Sequence, residues 1–71
     1  MSLSDLSYDV ITLLQSKLEA VEIYDQFIED ADEAGDTEAR HLFEQIKQQD
    51  AQHVELLTNA LERIVKAGKL R

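Results

Sequence analysis

The sequence predicts an all-α protein, an antiparallel hairpin of two long helices. The chain has no proline and only two glycines, so few residues interrupt a helix. Apolar residues recur at steps of three and four in two long runs, which is the periodicity of a helix with one apolar side. A single polar segment, "DADEAGDTEAR", separates the two runs. With 71 residues, the chain is expected to form one domain over residues 1–71.

The first apolar run predicts a helix at about residues 5–33. Its apolar positions share one side: Val10, Ile11, Leu14, Leu18, Val21, Tyr24, Phe27, Ile28 and Ala31. Gly35 follows this run, and glycine readily takes the left-handed conformation that often ends a helix. We therefore expect a turn at about residues 34–37.

A second helix is predicted at about residues 38–67. Either Asp36 or Thr37 suits the position that caps its first turn, and Glu38 suits the positive end of its dipole. The apolar positions again share one side: Ala39, Leu42, Phe43, Ile46, Val54, Leu57, Ala60, Leu61, Ile64 and Val65. Gly68, close after the last of them, is a typical stop signal.

A hairpin of two helices buries only part of its apolar surface. The short turn makes the two helices neighbours, but the outer parts of both apolar sides stay in water. Tyr24, Phe27 and Phe43 would add to an exposed patch of the kind that monomers avoid. We therefore expect two copies to pair into a four-helix bundle, so that dimerisation is a condition of folding.

Three polar residues lie on the apolar sides of the two helices. At about 100° per residue, Lys17 points close to the centre of the first apolar side, and Asp50 and His53 fall within the second. Lys17 precedes Gly35 by as many positions as His53 follows it, and Asp50 lies one turn closer to the glycine. An antiparallel hairpin therefore places all three at nearly one level. Because a buried charge is costly unless it is paired, we expect Lys17 and Asp50 to pair in a shared polar layer.

Composition and charge exclude several classes of partner. Fifteen acidic residues against seven basic ones give a net charge of −8, which disfavours nucleic acids and anionic lipids. No apolar run approaches the roughly 18–20 residues of a membrane span, and the N-terminus lacks the features of a secretory signal. We therefore expect a cytoplasmic protein without a nucleic-acid or membrane partner. The absence of cysteine excludes Cys-based metal sites.

Two segments of the chain resemble a known family. The segments "LEAVEIYDQF", residues 18–27, and "QQDAQHVELL", residues 48–57, are similar to the encapsulated ferritins, a two-helix branch of the ferritin-like superfamily. The resemblance covers residues 10–65 and implies a homodimer that rebuilds a ferritin-like four-helix bundle. It also implies further assembly of dimers into rings, enclosure as cargo in an encapsulin shell, and oxidation of ferrous iron at a di-iron site.

The positions that match the family's iron ligands depart from its carboxylates. Tyr24 matches a family tyrosine, and the bridging glutamate seven residues before it is Lys17 here. His53 matches the family histidine, and Asp50 replaces the glutamate three residues before it. At an effective dielectric near 20, an ammonium about 4 Å from a dication opposes it by about 8 kcal/mol. We therefore favour a metal-free polar layer of Lys17, Tyr24, Asp50 and His53, with no cofactor. The favoured function is that of a ferritin-like oligomeric protein that acts as a scaffold or interaction module.

Two other functions stay open. The first is an iron-binding ferroxidase or iron-storage subunit that uses Asp50, His53 and carboxylates at the edge of the first helix. Glu19 matches an acid that the family places near a secondary metal site, and Glu22 is a further candidate, although it points about 140° from Lys17. Catalysis is expected only in this case. The second is an unrelated acidic helical dimer whose apolar face binds a helix of another protein.

Overall fold

The computed structural model describes the backbone of residues 3–69 as two antiparallel helices joined by a short turn. Helix α1 comprises Leu3–Glu33 and helix α2 comprises Thr37–Lys69. Side chains are described for residues 5–68. The backbone over residues 3–69 contains no strand, and the predicted all-α hairpin is confirmed.

Both helices extend slightly beyond the predicted bounds. Helix α1 begins at Leu3 rather than near residue 5, and α2 runs from Thr37 to Lys69 rather than from 38 to 67. The predicted stop at Gly68 is wrong, because this glycine stays helical inside the last turn of α2. A glycine costs a helix about 1 kcal/mol relative to alanine, which is too little to break that turn.

The turn satisfies the backbone at both helix ends. Gly35 has a φ of 70°, and its N–H donates to the Asp32 carbonyl at 3.0 Å, while the Asp36 N–H donates to the Ala31 carbonyl at 3.0 Å. These two bonds are the Schellman arrangement, which needs a left-handed residue at the glycine position. The Asp36 Oδ1 atom then accepts a hydrogen bond from the Ala39 N–H at 2.9 Å and caps α2. Asp36 is thus the residue that caps the second helix.

The seam between the helices does not enclose a core. Among the described side chains, the buried apolar residues are Ala31 and Ile64, at 6% and 3% exposure. Near the turn, the Phe27 and Phe43 rings lie 5.5 Å apart, and Tyr24 meets Phe27 edge-on at 6.1 Å. Larger apolar side chains elsewhere lie half in water. Apolar burial within one chain is therefore shallow.

The hairpin is long and thin. Its Cα atoms extend over 56 × 15 × 14 Å, with a radius of gyration of 16.2 Å, whereas a compact chain of this length has a radius of about 11 Å. Its accessible surface is 5427 Å². A folded monomer of 8.1 kDa exposes about 4,500 Å². Over the described residues, neither helix has an apolar stretch long enough to cross a bilayer.

One broad side of the hairpin is held by ion pairs near the turn. Lys47 on α2 contacts Asp25 on α1, and Arg40 contacts Asp32 at 3.2 Å and Glu44 at 3.1 Å. We call this side the charged face. The exposed side chains of Ile11, Leu18 and Val65 fall on the same side by helical position, in the half of the hairpin away from the turn.

The opposite broad side, here called the apolar face, carries Leu13, Phe27, Leu42, His53 and Leu56. Its four apolar members are between 40% and 65% exposed. Leu13, His53 and Leu56 line one groove together with Leu57 and the stem of Lys17. By helical position, Phe27 and Leu42 continue this face toward the turn. The apolar face therefore runs along most of the hairpin and has the polar residue His53 near its middle.

Candidate functional site

An ion pair between the two helices forms the centre of the candidate site. The Lys17 Nζ atom donates to Asp50 Oδ1 at 2.9 Å across the seam. The Asp50 side chain is 10% exposed, and that of Lys17 is 29% exposed. Both residues reach the seam because each lies on the apolar side of its helix, at a similar distance from the turn. The carboxylate is thus the most enclosed charge among the described side chains, and it has a cation beside it.

The second oxygen of the same carboxylate is also occupied. The Tyr24 hydroxyl, two turns further along α1 than Lys17, donates to Asp50 Oδ2 at 2.9 Å. An ionised carboxylate accepts at both oxygens, so one donor from each of two turns of α1 satisfies both. Lys17, Tyr24 and Asp50 therefore form one hydrogen-bonded group.

His53 lies beside this group and is open to solvent. Its Nδ1 atom is 3.3 Å from Asp50 Oδ1, and its side chain is 50% exposed. The sequence places the imidazole on the apolar side of α2, but within one chain it falls at the edge of the seam and on the apolar face. Within one chain, the four residues of the expected layer thus lie together. Asp50 is nearly enclosed, Lys17 and Tyr24 are partly enclosed, and His53 is half exposed.

The hydrogen bonds shift the acidity of two members of the group. Chiefly the hydrogen bond from Lys17, and next that from Tyr24, holds the pKa of the Asp50 carboxyl below its ordinary value. The hydrogen bond to Asp50, aided by partial burial, raises the pKa of the Tyr24 hydroxyl. Both shifts favour an ionised aspartate and a neutral phenol. The negative charge of the group therefore lies on Asp50, beside the Lys17 ammonium.

The donor atoms around Asp50 do not fit a metal ion within one chain. Over the part of the chain with described side chains, no three His, Asp or Glu side chains gather closely enough to hold one. A lysine ammonium has no free lone pair, and Lys17 occupies the oxygen that also lies nearest to His53. The two edge acids, Glu19 and Glu22, are exposed and lie off the seam. The structure brings neither of them to Asp50.

The ion pairs of the charged face were not predicted from the sequence. Lys47 and Asp25 lie 22 residues apart in the chain, and Arg40 and Asp32 lie 8 apart. A signal was present, since the antiparallel register that aligns Lys17 with Asp50 also places these opposite charges at similar levels. All four side chains are at least one-third exposed, and such pairs typically contribute less than about 1 kcal/mol.

Comparison of the chain with protein-family models, with curated proteins and with solved structures finds no match.

Proposed function

We propose that the protein is a metal-free, ferritin-like helical dimer that acts as a scaffold or interaction module. In this proposal, two hairpins pair through their exposed apolar surface, and the Lys17–Asp50 pair fills the interior position that a metal centre occupies in the encapsulated ferritins. The resemblance of residues 18–27 and 48–57 to that family gives the ferritin-like part of the proposal.

One observation carries the metal-free part. Both oxygens of Asp50 are already bonded, one to the Lys17 ammonium and one to the Tyr24 hydroxyl, each at 2.9 Å. A metal ion that used this carboxylate would have to displace the Lys17 ammonium or lie beside it, although the ammonium already balances the charge of the carboxylate. The same pairing removes the penalty of an isolated buried charge. A carboxylate satisfied in this way needs no metal.

The surface area supports the dimer. The chain exposes roughly 900 Å² more than a folded monomer of its mass, and a standard interface buries about 800 Å² on each partner. The excess is therefore at least as large as the area that one partner contributes to an ordinary stable interface. Large apolar side chains contribute to this exposed area, and Leu42 and Leu56, for example, are 52% and 65% exposed. Pairing of two copies would cover it.

The half of the charged face that lies away from the turn supports further assembly. Ile11, Leu18 and Val65 would stay exposed after a second copy covered the apolar face, at 48%, 48% and 44% of their full area. A second, smaller contact there could join dimers into a ring. Enclosure in an encapsulin shell is the partner relation that the resemblance suggests, and a scaffold subunit or cargo protein fits it without iron chemistry.

Two measurements on one preparation test the proposal. Protein produced in iron-supplemented cells should contain far less than one metal ion per two chains by elemental analysis. Light scattering across a range of concentrations should give the mass of a dimer or of a multiple of a dimer. Stoichiometric iron would refute the metal-free part, and a helical monomer at micromolar concentration would refute the dimer.

A ferroxidase is the second candidate, and the exposure of His53 favours it. An imidazole that is 50% exposed is free to meet a partner chain and could bind iron there with Asp50. Glu19 and Glu22 would then have to reach the centre from another subunit. Iron-dependent absorbance changes on addition of ferrous iron in air, at one or two ions per dimer, would support this candidate over the scaffold.

A further inference from the structure

We infer that a second copy packs on the apolar face with its turn at the opposite end, and that the Lys17–Asp50 pair sets the register in which the copies meet. This inference rests on the proposed dimer. It adds which face is used, the relative direction of the two copies, and a role for the polar layer.

The apolar face fits a second copy better than the charged face does. Leu13, Phe27, Leu42 and Leu56 are spread along it and are 49%, 40%, 52% and 65% exposed. The charged face presents ion pairs over the half of the hairpin near the turn. A partner on that side would have to remove their water, which is costly for charged groups. Continuous apolar contact along the hairpin is therefore available on the apolar face.

The polar layer lies at the midpoint of the hairpin. His53 is the central residue of α2, and Lys17 lies beside the central residue of α1. A two-fold axis across the hairpin at this level overlaps two copies along their full length. The same axis brings the two Lys17–Asp50 pairs to one level and sets each His53 opposite its counterpart. Full overlap and alignment of the polar groups thus occur in the same register.

A shifted register is penalised by the polar layer. A slip of one turn, about 5.4 Å, removes contact at both ends of a hairpin 56 Å long. It also sets each ion pair against apolar side chains of the partner. Apolar contacts discriminate poorly among such slips, because similar side chains recur along the face. Polar groups held at one level of a helical interface are a well-attested means of fixing register.

The distribution of charge favours turns at opposite ends. Carboxylates crowd the half of the hairpin near the turn: Asp25, Glu29, Asp30, Asp32, Glu33, Asp36, Glu38 and Glu44. The last nine residues of the sequence contain four basic residues and no acidic one, and of these Arg63 and Lys66 lie in α2 at the other end of the hairpin. Two copies with adjacent turns would bring their carboxylates together. The other half of the hairpin is nearly neutral, because its described acids Asp5, Asp9, Glu55 and Glu62 are nearly balanced by the bases Lys17, Arg63 and Lys66. The opposite arrangement therefore sets the strongly acidic end of each copy against a nearly neutral end of its partner and keeps the two acidic ends apart.

Single cysteines in the full chain test the arrangement, because the sequence contains none. Cysteine is introduced singly along the apolar side of α2, and the fraction of disulfide-linked dimer under mild oxidation is measured. The positions are Leu42, Gln49, His53, Leu56 and Ala60. Linking is expected to be greatest for His53→Cys. Leu42→Cys is the matched control, since this residue is similarly exposed but would lie about 33 Å from its counterpart.

A mixed experiment keeps His53 intact. Chains with Gln49→Cys and chains with Leu56→Cys should link to each other several-fold more than either links to itself, because the two positions lie on either side of the axis. If the turns lie at the same end, α2 packs on the partner's α1 and these links do not form. That outcome, in a protein that light scattering shows to be a dimer, overturns the inference while leaving the proposed dimer. A monomer overturns both.

Replacement of the ion pair tests its role in the register. The single cysteines are repeated in a background with Lys17→Met and Asp50→Leu, where helical content and dimer mass are expected to persist. In this background, disulfide linking of the His53→Cys variant relative to that of the Leu42→Cys variant is expected to fall at least fivefold. A charge-swapped background, Lys17→Asp with Asp50→Lys, keeps the pair and should keep the maximum at His53. If the apolar background keeps the same single maximum, the pair does not set the register. If the apolar background loses its helices, the charge-swapped background is the test. Disulfide linking that is then no longer greatest for His53→Cys overturns the inference.

Discussion

Reversing the charge of Lys17 should convert the polar layer into a metal site. Lys17→Glu places a carboxylate where the ammonium now contacts Asp50 Oδ1 at 2.9 Å. In a dimer, two copies would then offer four carboxylates and two imidazoles at one level. Oxygen and imidazole donors of this kind suit zinc, cobalt and ferrous iron. We expect the variant to bind these ions and the parent not to bind them.

The size of the effect follows from the position of the ammonium. An ion bound to Asp50 would lie about 4 Å from the Lys17 nitrogen, where the repulsion is about 8 kcal/mol at an effective dielectric near 20. Removal of this repulsion corresponds to more than five powers of ten in Kd. At a metal concentration of 100 times Kd, binding adds about 2.7 kcal/mol to the free energy of unfolding. For a domain of this size that raises the melting temperature by about 10–20 °C.

Zinc titration calorimetry, cobalt absorption spectra and thermal unfolding with and without zinc measure these changes. Lys47→Glu is the matched control: it alters the net charge equally but lies on the charged face beside Asp25. A second control, Lys17→Glu with His53→Ala, removes the imidazoles and should weaken binding. If Lys17→Glu binds zinc no more tightly than Lys47→Glu, or if the parent already binds it stoichiometrically, the layer does not have the role given to it here.

Four further substitutions have defined outcomes. Asp50→Asn should lower the free energy of unfolding in urea at pH 7. Because the pKa of Asp50 in the folded chain is below its ordinary 3.8, the difference in this free energy between parent and variant should shrink as the pH falls below about 3.8. A difference that stays constant would contradict this. At the turn, Asp36→Ala should lower the free energy of unfolding by about 1 kcal/mol, because α2 loses its cap. Gly35→Ala should lower it by about 1–2 kcal/mol, because the added Cβ meets no atom within 4 Å and only the left-handed backbone is strained. Thermal unfolding at fixed concentration measures both effects, and unchanged melting temperatures would argue against the observed turn. Leu56→Asp, on the apolar face of α2, should raise the dimer dissociation constant at least tenfold in sedimentation equilibrium. Tyr8 is similarly exposed but lies in α1, off the apolar face, so Tyr8→Asp should leave the dissociation constant within twofold.

The sequence predicts those features that depend on periodicity and chain direction. The two helices, the turn at Gly35 and the common level of Lys17 and Asp50 all follow from spacing along the chain. The exposure of His53 does not, because a residue at the edge of an apolar side is enclosed or open according to how two helices roll against each other. The continuation of α2 through Gly68 was missed because the cost of one helical glycine is small compared with that of breaking a turn.

The assignment of one Asp50 oxygen to Lys17 and of the other to Tyr24 also required the structure. Lys17 and Tyr24 are seven residues apart on one side of α1, and either could have pointed to solvent at its polar tip. Both turn inward because Asp50 presents one oxygen to each. Lys47 and Arg40 have similar stems, but they bond to exposed carboxylates on the charged face instead. The pairing of Lys17 with Asp50 was expected from their common level, but which exposed cation meets which exposed acid depends on side-chain rotamers that periodicity does not encode.

The charge-balanced layer has a consequence for how such a chain can change over generations. Lysine and glutamate codons differ at a single base, and so do aspartate and glutamate codons. Because Lys17 and Asp50 meet in a seam that already accommodates their side chains, point mutations could exchange a salt bridge for a carboxylate cluster without altering either helix. A lineage built on this hairpin could therefore gain or lose affinity for cations while the hairpin itself was preserved.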